Sequence, residues 1–177
     1  ITVNSGETRS AQKQITIGYQ SVRLLLQAPE HISVDSLHLL QAKAIDMNNN
    51  HQAIAYSLKL VSLQAPGRIL RERLWQRPDM HLMNEDTYKR LFPLDIYDRE
   101  NEPLTWTRLQ SVASISDTTN VNGTVQLPSK LKEGWYLVEM SAADPSGETI
   151  KDSVAVFIYD KQNNTPLAGA TLIAAKH

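Results

Sequence analysis

Residues 134–160, GWYLVEMSAADPSGETIKDSVAVFIYD, decide the fold of this chain. Apolar, aromatic and β-branched side chains fill two runs, Gly134 to Ala142 and Ile150 to Asp160, with the length and composition of β-strands. Between the runs stands Asp144-Pro145-Ser146-Gly147, a sequence that favours a turn and supplies glycine for a position with positive φ. The stretch therefore predicts two antiparallel strands joined by a tight turn.

The same alternation of apolar and polar residues recurs along the chain and predicts further strands. They cover residues 14–20, 22–27, 37–46, 53–63, 109–116 and 123–127. The segment Met47-Asn48-Asn49-Asn50-His51 separates two of them. Because asparagine tolerates left-handed turn positions, strands 37–46 and 53–63 are predicted to form a hairpin. In all, seven or eight short strands predict an all-β, immunoglobulin-like antiparallel β-sandwich.

The spacing of these strands also predicts the domain organisation. Residues 22–64 and 109–159 together approach the ~100 residues of an immunoglobulin-like domain. Residues 65–108 are then a long insertion, so that the sandwich with its insertion spans 22–159. Residues 1–21 are expected to be its N-terminal strand or the end of a preceding domain. Residues 160–177 are expected to be a linker or the first strand of a following domain.

Composition narrows the classes of function. The 177 residues include 18 lysines and arginines, 19 aspartates and glutamates, and no cysteine. A net charge of -1 gives no long-range attraction to nucleic acid or anionic lipid, and no apolar run approaches the ~20 residues of a membrane span. Without cysteine, this chain holds no disulfide, thiolate nucleophile or cysteine-bound zinc. The sequence begins Ile1-Thr2-Val3, without an initiator methionine or a basic-then-apolar leader among its residues, so we expect it to be a piece of a longer protein.

The insertion 65–108 is predicted to contain one short helix. Asn84 is a suitable N-cap, and Pro93 ends the segment. Tyr88, Leu91 and Phe92 share one face of that helix. A helix of about two turns is unstable alone in water, so we expect this face to pack on the sandwich.

Charge is divided between two arms of the insertion. Residues 68–77, the basic arm, hold four arginines and one glutamate, and residues 95–102, the acidic arm, hold four carboxylates and one arginine. The basic arm with Trp75 could form a nucleic-acid patch, or it could pair with the acidic arm. We predict pairing, because charges of opposite sign lie in the same insertion. Arg71 and Arg73 lining a groove away from every carboxylate would overturn that prediction.

The sequence contains no strong signature of catalysis or metal binding. No two histidines have the i, i+4 spacing of a helical metal site. The calcium-like start at Asp46 fails, because His51 and Ser57 stand where that loop needs glycine and glutamate. We therefore assign no catalytic, cofactor-binding or metal-binding residue. Trp135 and Tyr136 are predicted to be core residues rather than exposed platforms for sugar stacking.

Several motifs resemble those of one family, the bacterial alpha-2-macroglobulins. They are Ser5-Gly6-Glu7-Thr8-Arg9-Ser10, Arg73-Leu74-Trp75-Gln76-Arg77-Pro78-Asp79, Asn84-Glu85-Asp86-Thr87-Tyr88 and Phe92-Pro93-Leu94-Asp95-Ile96-Tyr97. The last strands, with Gly134 to Glu139 and Phe157 to Asp160, are also similar. The chain resembles a middle macroglobulin domain of these proteins over nearly its whole length, and the insertion is the most specific part.

The resemblance implies a non-catalytic structural module of a protease-trapping inhibitor in the bacterial periplasm, the cell envelope or the secreted fraction. Its implied partners are neighbouring macroglobulin domains and, through the full-length protein, target proteases. It implies no nucleic acid, no cofactor and no direct membrane insertion. A thioester needs cysteine, so none forms within this chain. The residues expected to pack or interact are Arg71, Arg73, Trp75, Pro78, Tyr88, Phe92, Asp95, Tyr97 and Trp106.

Other functions remain open from the sequence. Residues 165–172 resemble the first strand of a carboxypeptidase-regulatory-like module, which would favour an outer-membrane transport protein. An immunoglobulin-like adhesion or carbohydrate-binding module is a further alternative; exposed aromatic residues along one sheet would favour sugar binding. An enzyme would need a pocket of convergent polar groups, for example around His81 and Asp79.

Overall fold

A computed structural model describes residues 21–128 and 131–160 of the chain. The predicted strand 14–20 lies outside these residues, as do the predicted boundary segments 1–21 and 160–177 except for residues 21 and 160. The elements are β1 (Val22–Gln27), β2 (His31–Ser33), a 3₁₀ segment (Val34–Leu39), β3 (Gln41–Asp46), β4 (Ala55–Gln64), α1 (Glu85–Leu91), a 3₁₀ turn (Pro103–Thr105), β5 (Thr107–Thr118), β6 (Gly134–Ala143) and β7 (Thr149–Tyr159). The described part is all-β, with two sheets and one short α-helix, as predicted.

The large sheet has five strands in the order β2-β7-β6-β4-β5, and the small sheet pairs β1 with β3. All pairings are antiparallel except that of β2 with β7, which is parallel. The stretch that begins at Gly134 forms the β6–β7 hairpin, with the predicted turn at Asp144 to Gly147. Gly147 has φ 87°, and the Asp144 carboxylate accepts hydrogen bonds from the backbone N–H of Ser146 (2.8 Å) and Glu148 (3.0 Å).

An inner core lies between the two sheets. Because side chains of a strand alternate between faces, Tyr136, Val138 and Met140 of β6 point together toward the small sheet, where they join Leu24 and Leu26 of β1 in one cluster. A carboxylate also links the sheets: Asp152 of β7 accepts the backbone N–H of Leu26 at 2.8 Å.

An outer core covers part of the opposite face of the large sheet. Trp135 and Leu137 of β6 lie in it with Leu63, Phe157 and Trp106. Trp106 is contributed by the insertion. Strand β6 is therefore buried on both faces, because the small sheet covers one face and the insertion covers the other. Trp135 and Tyr136 are core residues, as predicted.

The predicted hairpin of strands 37–46 and 53–63 is wrong. Strand β3 pairs with β1, whereas β4 pairs with β5 and β6, so the Asn-rich segment connects the two sheets. Alternation determines which face of a strand is apolar but does not determine its partner. Asn49 does adopt the left-handed conformation expected of asparagine, with φ 63°.

Two other segments also differ from the predicted strands. Residues 34–39 form a 3₁₀ segment, and the Ser33 side chain accepts a hydrogen bond from the N–H of Asp35 at its start (3.4 Å). Residues 123–127 form only an isolated bridge, between Gln41 and Thr124. A short apolar run can satisfy its burial without a regular ladder.

Strand β5 forms one edge of the large sheet and is irregular. Its register against β4 shifts on both sides of Val61. Such irregularities bend an edge strand and disfavour pairing with a further strand. The exposed Leu109 and Val112 lie in this irregular part.

Candidate interaction surface on the insertion

The two charged arms of the insertion pair with each other. A backbone hydrogen bond of 2.6 Å joins the N–H of Arg71 to the carbonyl of Leu94. The ion pairs are Arg68 with Glu100 (2.8 Å), Arg71 with Asp95 (2.5 Å) and Arg77 with Asp98. The predicted pairing is therefore confirmed. The condition set for a nucleic-acid patch is not met, because Arg71 has a carboxylate partner.

Arg73 joins the arms in a different way. Its Nη2 donates to the carbonyl oxygens of Ile96 (2.6 Å) and Tyr97 (3.1 Å). Its Nη1 is buried and has no hydrogen-bond partner. The guanidinium group thus binds the backbone of the acidic arm, and its role is to hold the two arms together.

Trp106 anchors the insertion to the large sheet. Its ring contacts Trp135 edge to face, with centroids 5.2 Å apart, and its Nε1 donates to the carbonyl of Glu100 at 2.8 Å. Trp135 in turn contacts Phe157 at 5.5 Å. Leu70 of the basic arm and Ile96 of the acidic arm are also buried. The insertion is consequently fixed at its base by a few aromatic and aliphatic residues.

The helix of the insertion begins as predicted. The side chain of Asn84 accepts a hydrogen bond from the N–H of Thr87 at 2.9 Å. The expectation that its apolar face packs on the sandwich is wrong. None of its residues is buried, and Tyr88 contacts Tyr97 of the acidic arm at 5.2 Å. Tyr97 also donates its hydroxyl to the carbonyl of Met83 (2.8 Å), so the helix rests on the insertion itself.

Eight of the nine residues predicted to interact line one groove of about 430 Å³. They are Arg71, Arg73, Trp75, Pro78, Tyr88, Phe92, Asp95 and Tyr97. The ninth, Trp106, lies apart in the outer core. His81 and Ile96 also line the groove, and His81 stacks on Tyr97 with ring centroids 4.1 Å apart. The structure therefore brings the sequence-selected residues to one surface.

Residues 74–83 form part of this groove and expose several large apolar side chains; we name this segment the apolar loop. The exposed fractions are 86% for Leu74, 64% for Trp75, 80% for Met80 and 99% for Leu82. Sequence reasoning selected Trp75 but missed the other three. The sequence does contain a sign of their exposure, because leucine and methionine occur here without the periodicity that would bury them in a helix or strand.

In the described part of the chain near the apolar loop, more acidic than basic exposed side chains lack an ion-pair partner. Among the described residues, Glu72, Asp79 and Asp86 make no ion pair and are exposed. Two cations of the same described region, Arg90 and the half-buried Arg73, also have no carboxylate partner. The exposed groups without an ion pair are thus mostly acidic, although the two arms have equal and opposite charge.

The remaining polar clusters hold turns together. The pKa of Asp46 is lowered, first by the backbone N–H of Asn50, which donates to its carboxylate at 2.8 Å. The pKa of Asp144 is lowered chiefly by the Ser146 hydroxyl. Within residues 21–128 and 131–160, no group of three histidine or acidic side chains is placed to hold a metal ion. A wider pocket of about 920 Å³ includes Asp79 and His81, the positions suggested for an enzyme pocket.

In that same part of the chain, no helix is long and apolar enough to cross a membrane. Comparison of the chain with protein-family models gives no match, and comparison with curated proteins gives none either. The fold and the insertion surface are therefore the basis for a functional proposal.

Proposed function

We propose that this chain is a non-catalytic structural module of a bacterial alpha-2-macroglobulin-like protease-trapping inhibitor, located in the periplasm, in the cell envelope or outside the cell. Its partners are neighbouring macroglobulin domains of the same polypeptide, and target proteases meet it through the full-length protein. The observation that carries the proposal is the insertion, which presents an exposed apolar loop on an ion-paired base anchored by Trp106.

The composition of the apolar loop supports a docking role. Tryptophan, methionine and arginine are enriched at protein interfaces, whereas lysine, glutamate, aspartate, serine and alanine are depleted. The loop sequence LWQRPDMHLM contains all three enriched types and, of the depleted types, only one aspartate, Asp79. Large apolar side chains grouped on one surface are typical of an interaction site.

The aromatic residues of the large sheet do not favour sugar binding. Tyr56, Trp135, Tyr136 and Phe157, the aromatic residues at the centre of the large sheet, are all buried. An aromatic platform for sugar stacking needs exposed ring faces. The exposed apolar surface is instead concentrated on the insertion, which favours docking between domains.

The protease-trapping part of the proposal is tested with the full-length protein that contains this sequence. We expect an added protease to cleave it and the radius of gyration to fall in small-angle X-ray scattering. The trapped protease should then lose activity on large protein substrates and keep activity on small peptides. A protease blocked at its active site is the control and should cause no compaction. Unchanged activity on large substrates would refute the inhibitor proposal.

A further inference from the structure

We infer that the apolar loop, residues 74–83, inserts into an apolar pocket of a protein partner whose rim carries lysine or arginine. This inference deepens the proposed function by naming the docking surface and the chemistry of its partner. It rests on the proposed function in one respect, namely that the partner is another domain of the same polypeptide.

Several apolar side chains of the loop project from the surface of the insertion. Leu82 and Leu74 are almost fully accessible, and Met80 and Trp75 are mostly so. A protruding leucine or tryptophan gains most from a pocket that removes its surface from water, and such anchors dominate the affinity of many interfaces. The loop therefore suits a concave apolar site better than a flat one.

The rigid base of the loop favours insertion of a preformed shape. Arg71 is paired with Asp95 on one side of the loop, and Arg77 is paired with Asp98 near its middle. Arg73 binds two carbonyl groups of the acidic arm immediately before Leu74. Because these contacts tie the base of the loop to the acidic arm, less conformational entropy is lost there when a partner binds.

The basic rim follows from the charges that the insertion leaves unpaired. Arg68, Arg71 and Arg77 are neutralised by carboxylates of the acidic arm. Among the described residues, Glu72 and Asp79, which flank and interrupt the loop, have no such partner, and Asp86 lies just beyond it. Complementary charge at a rim accelerates association and selects the partner. Arg73 also lacks a carboxylate partner, but it is half-buried against two carbonyl groups. Among the exposed groups that the structure describes here, three free carboxylates therefore outnumber one free cation, Arg90, and favour a cationic rim.

The same carboxylates disfavour a membrane as the partner of the apolar loop. Asp79 directly precedes Met80, so that insertion of Met80 into lipid would bring a carboxylate to the headgroups. An anionic membrane surface repels that charge. A protein pocket with lysine or arginine at its rim accepts both the methionine and the carboxylate.

A photocrosslinking experiment in the full-length protein tests this inference. A benzophenone amino acid replaces Leu82 in one variant and Val121 in the matched control, which is 71% exposed on a turn outside the insertion. After irradiation in the native host, crosslinked peptides are identified by mass spectrometry. We expect position 82 to crosslink to an apolar protein segment with lysine or arginine nearby, and position 121 not to reach that segment.

Charge reversal provides the second readout. In the position-82 background, Glu72→Lys with Asp79→Lys should lower the crosslink yield by roughly tenfold, because like charges would meet at the rim. Glu30→Lys, at another exposed carboxylate without an ion pair, is the matched control and should leave the yield unchanged. A yield that ignores both reversals, a crosslink to lipid or to an acidic segment, or no crosslink at all would overturn the inference.

The identity of the captured segment separates this inference from the proposed function. A crosslink within the same polypeptide supports both. A crosslink to a basic-rimmed pocket of another protein supports the inference and refutes docking onto a neighbouring domain.

Discussion

Strand β6 and the insertion are held in place by different forces. Val138 and Leu137 of β6 are buried on opposite faces of the large sheet, so this strand is stabilised by the removal of apolar surface from water. The arms of the insertion bury few side chains and are joined by ion pairs such as Arg71 with Asp95. The sandwich and the insertion should therefore respond separately to mutation and to salt.

The largest effect is expected in the inner core. Leu60 of β4 is completely buried there, and Leu60→Ala should lower the free energy of unfolding by about 2 to 5 kcal/mol through lost burial and a cavity. Urea unfolding followed by circular dichroism measures it. Leu109→Ala on the exposed edge strand is the control, with an expected change within about 0.5 kcal/mol. Equal losses in both variants would contradict the assignment of the core.

The anchor between the two regions should give a smaller and more local effect. Trp106→Phe keeps an aromatic ring but removes the hydrogen bond from Nε1 to the carbonyl of Glu100, a loss of about 1 to 2 kcal/mol. We expect amide exchange to rise in residues 65–105 and to stay slow in β6. Trp75→Phe, at the exposed ring, should change neither. Exchange rising equally in β6 would mean that the insertion and the sandwich unfold together.

The sequence predicted best where local chemistry determines structure. Asn84 caps its helix as expected because a cap depends on residues three positions apart. The two arms pair as expected because opposite charges lie within one insertion. The sequence also selected eight of the ten residues that line the groove, although Trp106 proved to be an anchor inside the outer core.

The sequence predicted least where distant segments choose partners. Strands 37–46 and 53–63 are adjacent in the chain, yet β4 finds β5 and β6 instead. Tyr88 packs on Tyr97 rather than on the sandwich, because the acidic arm already lies beside the helix. Exposure of Leu74 and Leu82 was missed for the same reason, since periodicity cannot say which loop residues lack a tertiary partner.

A change confined to the insertion is expected at the helix N-cap. Asn84→Ala removes the acceptor for the N–H of Thr87 and should cost about 1 kcal/mol, felt within residues 85–91. Hydrogen exchange of these amides measures the loss. Asn101→Ala, at an exposed turn position, is the matched control. If urea unfolding of the whole chain shifts while helix exchange does not, the helix is more tightly coupled to the sandwich than its contacts indicate.

The smallest effect is expected at the most exposed ion pair between the arms. Arg77 and Asp98 keep about half of their side-chain surfaces accessible, 45% and 52%, so water and salt screen their attraction. Arg77→Gln should cost less than about 0.5 kcal/mol, and the difference should vanish in about 1 M salt. Arg68→Gln is the comparison, because Arg68 is more buried and also donates to the carbonyl of Pro93 at 2.7 Å. Its loss should be larger, about 1 to 2 kcal/mol, and should largely persist in salt, because the part-buried contact with Glu100 is screened less than an exposed pair. If both variants lost the same stability and both losses disappeared in salt, the arms would be held by their opposite net charges, and the individual contacts would have no separate role.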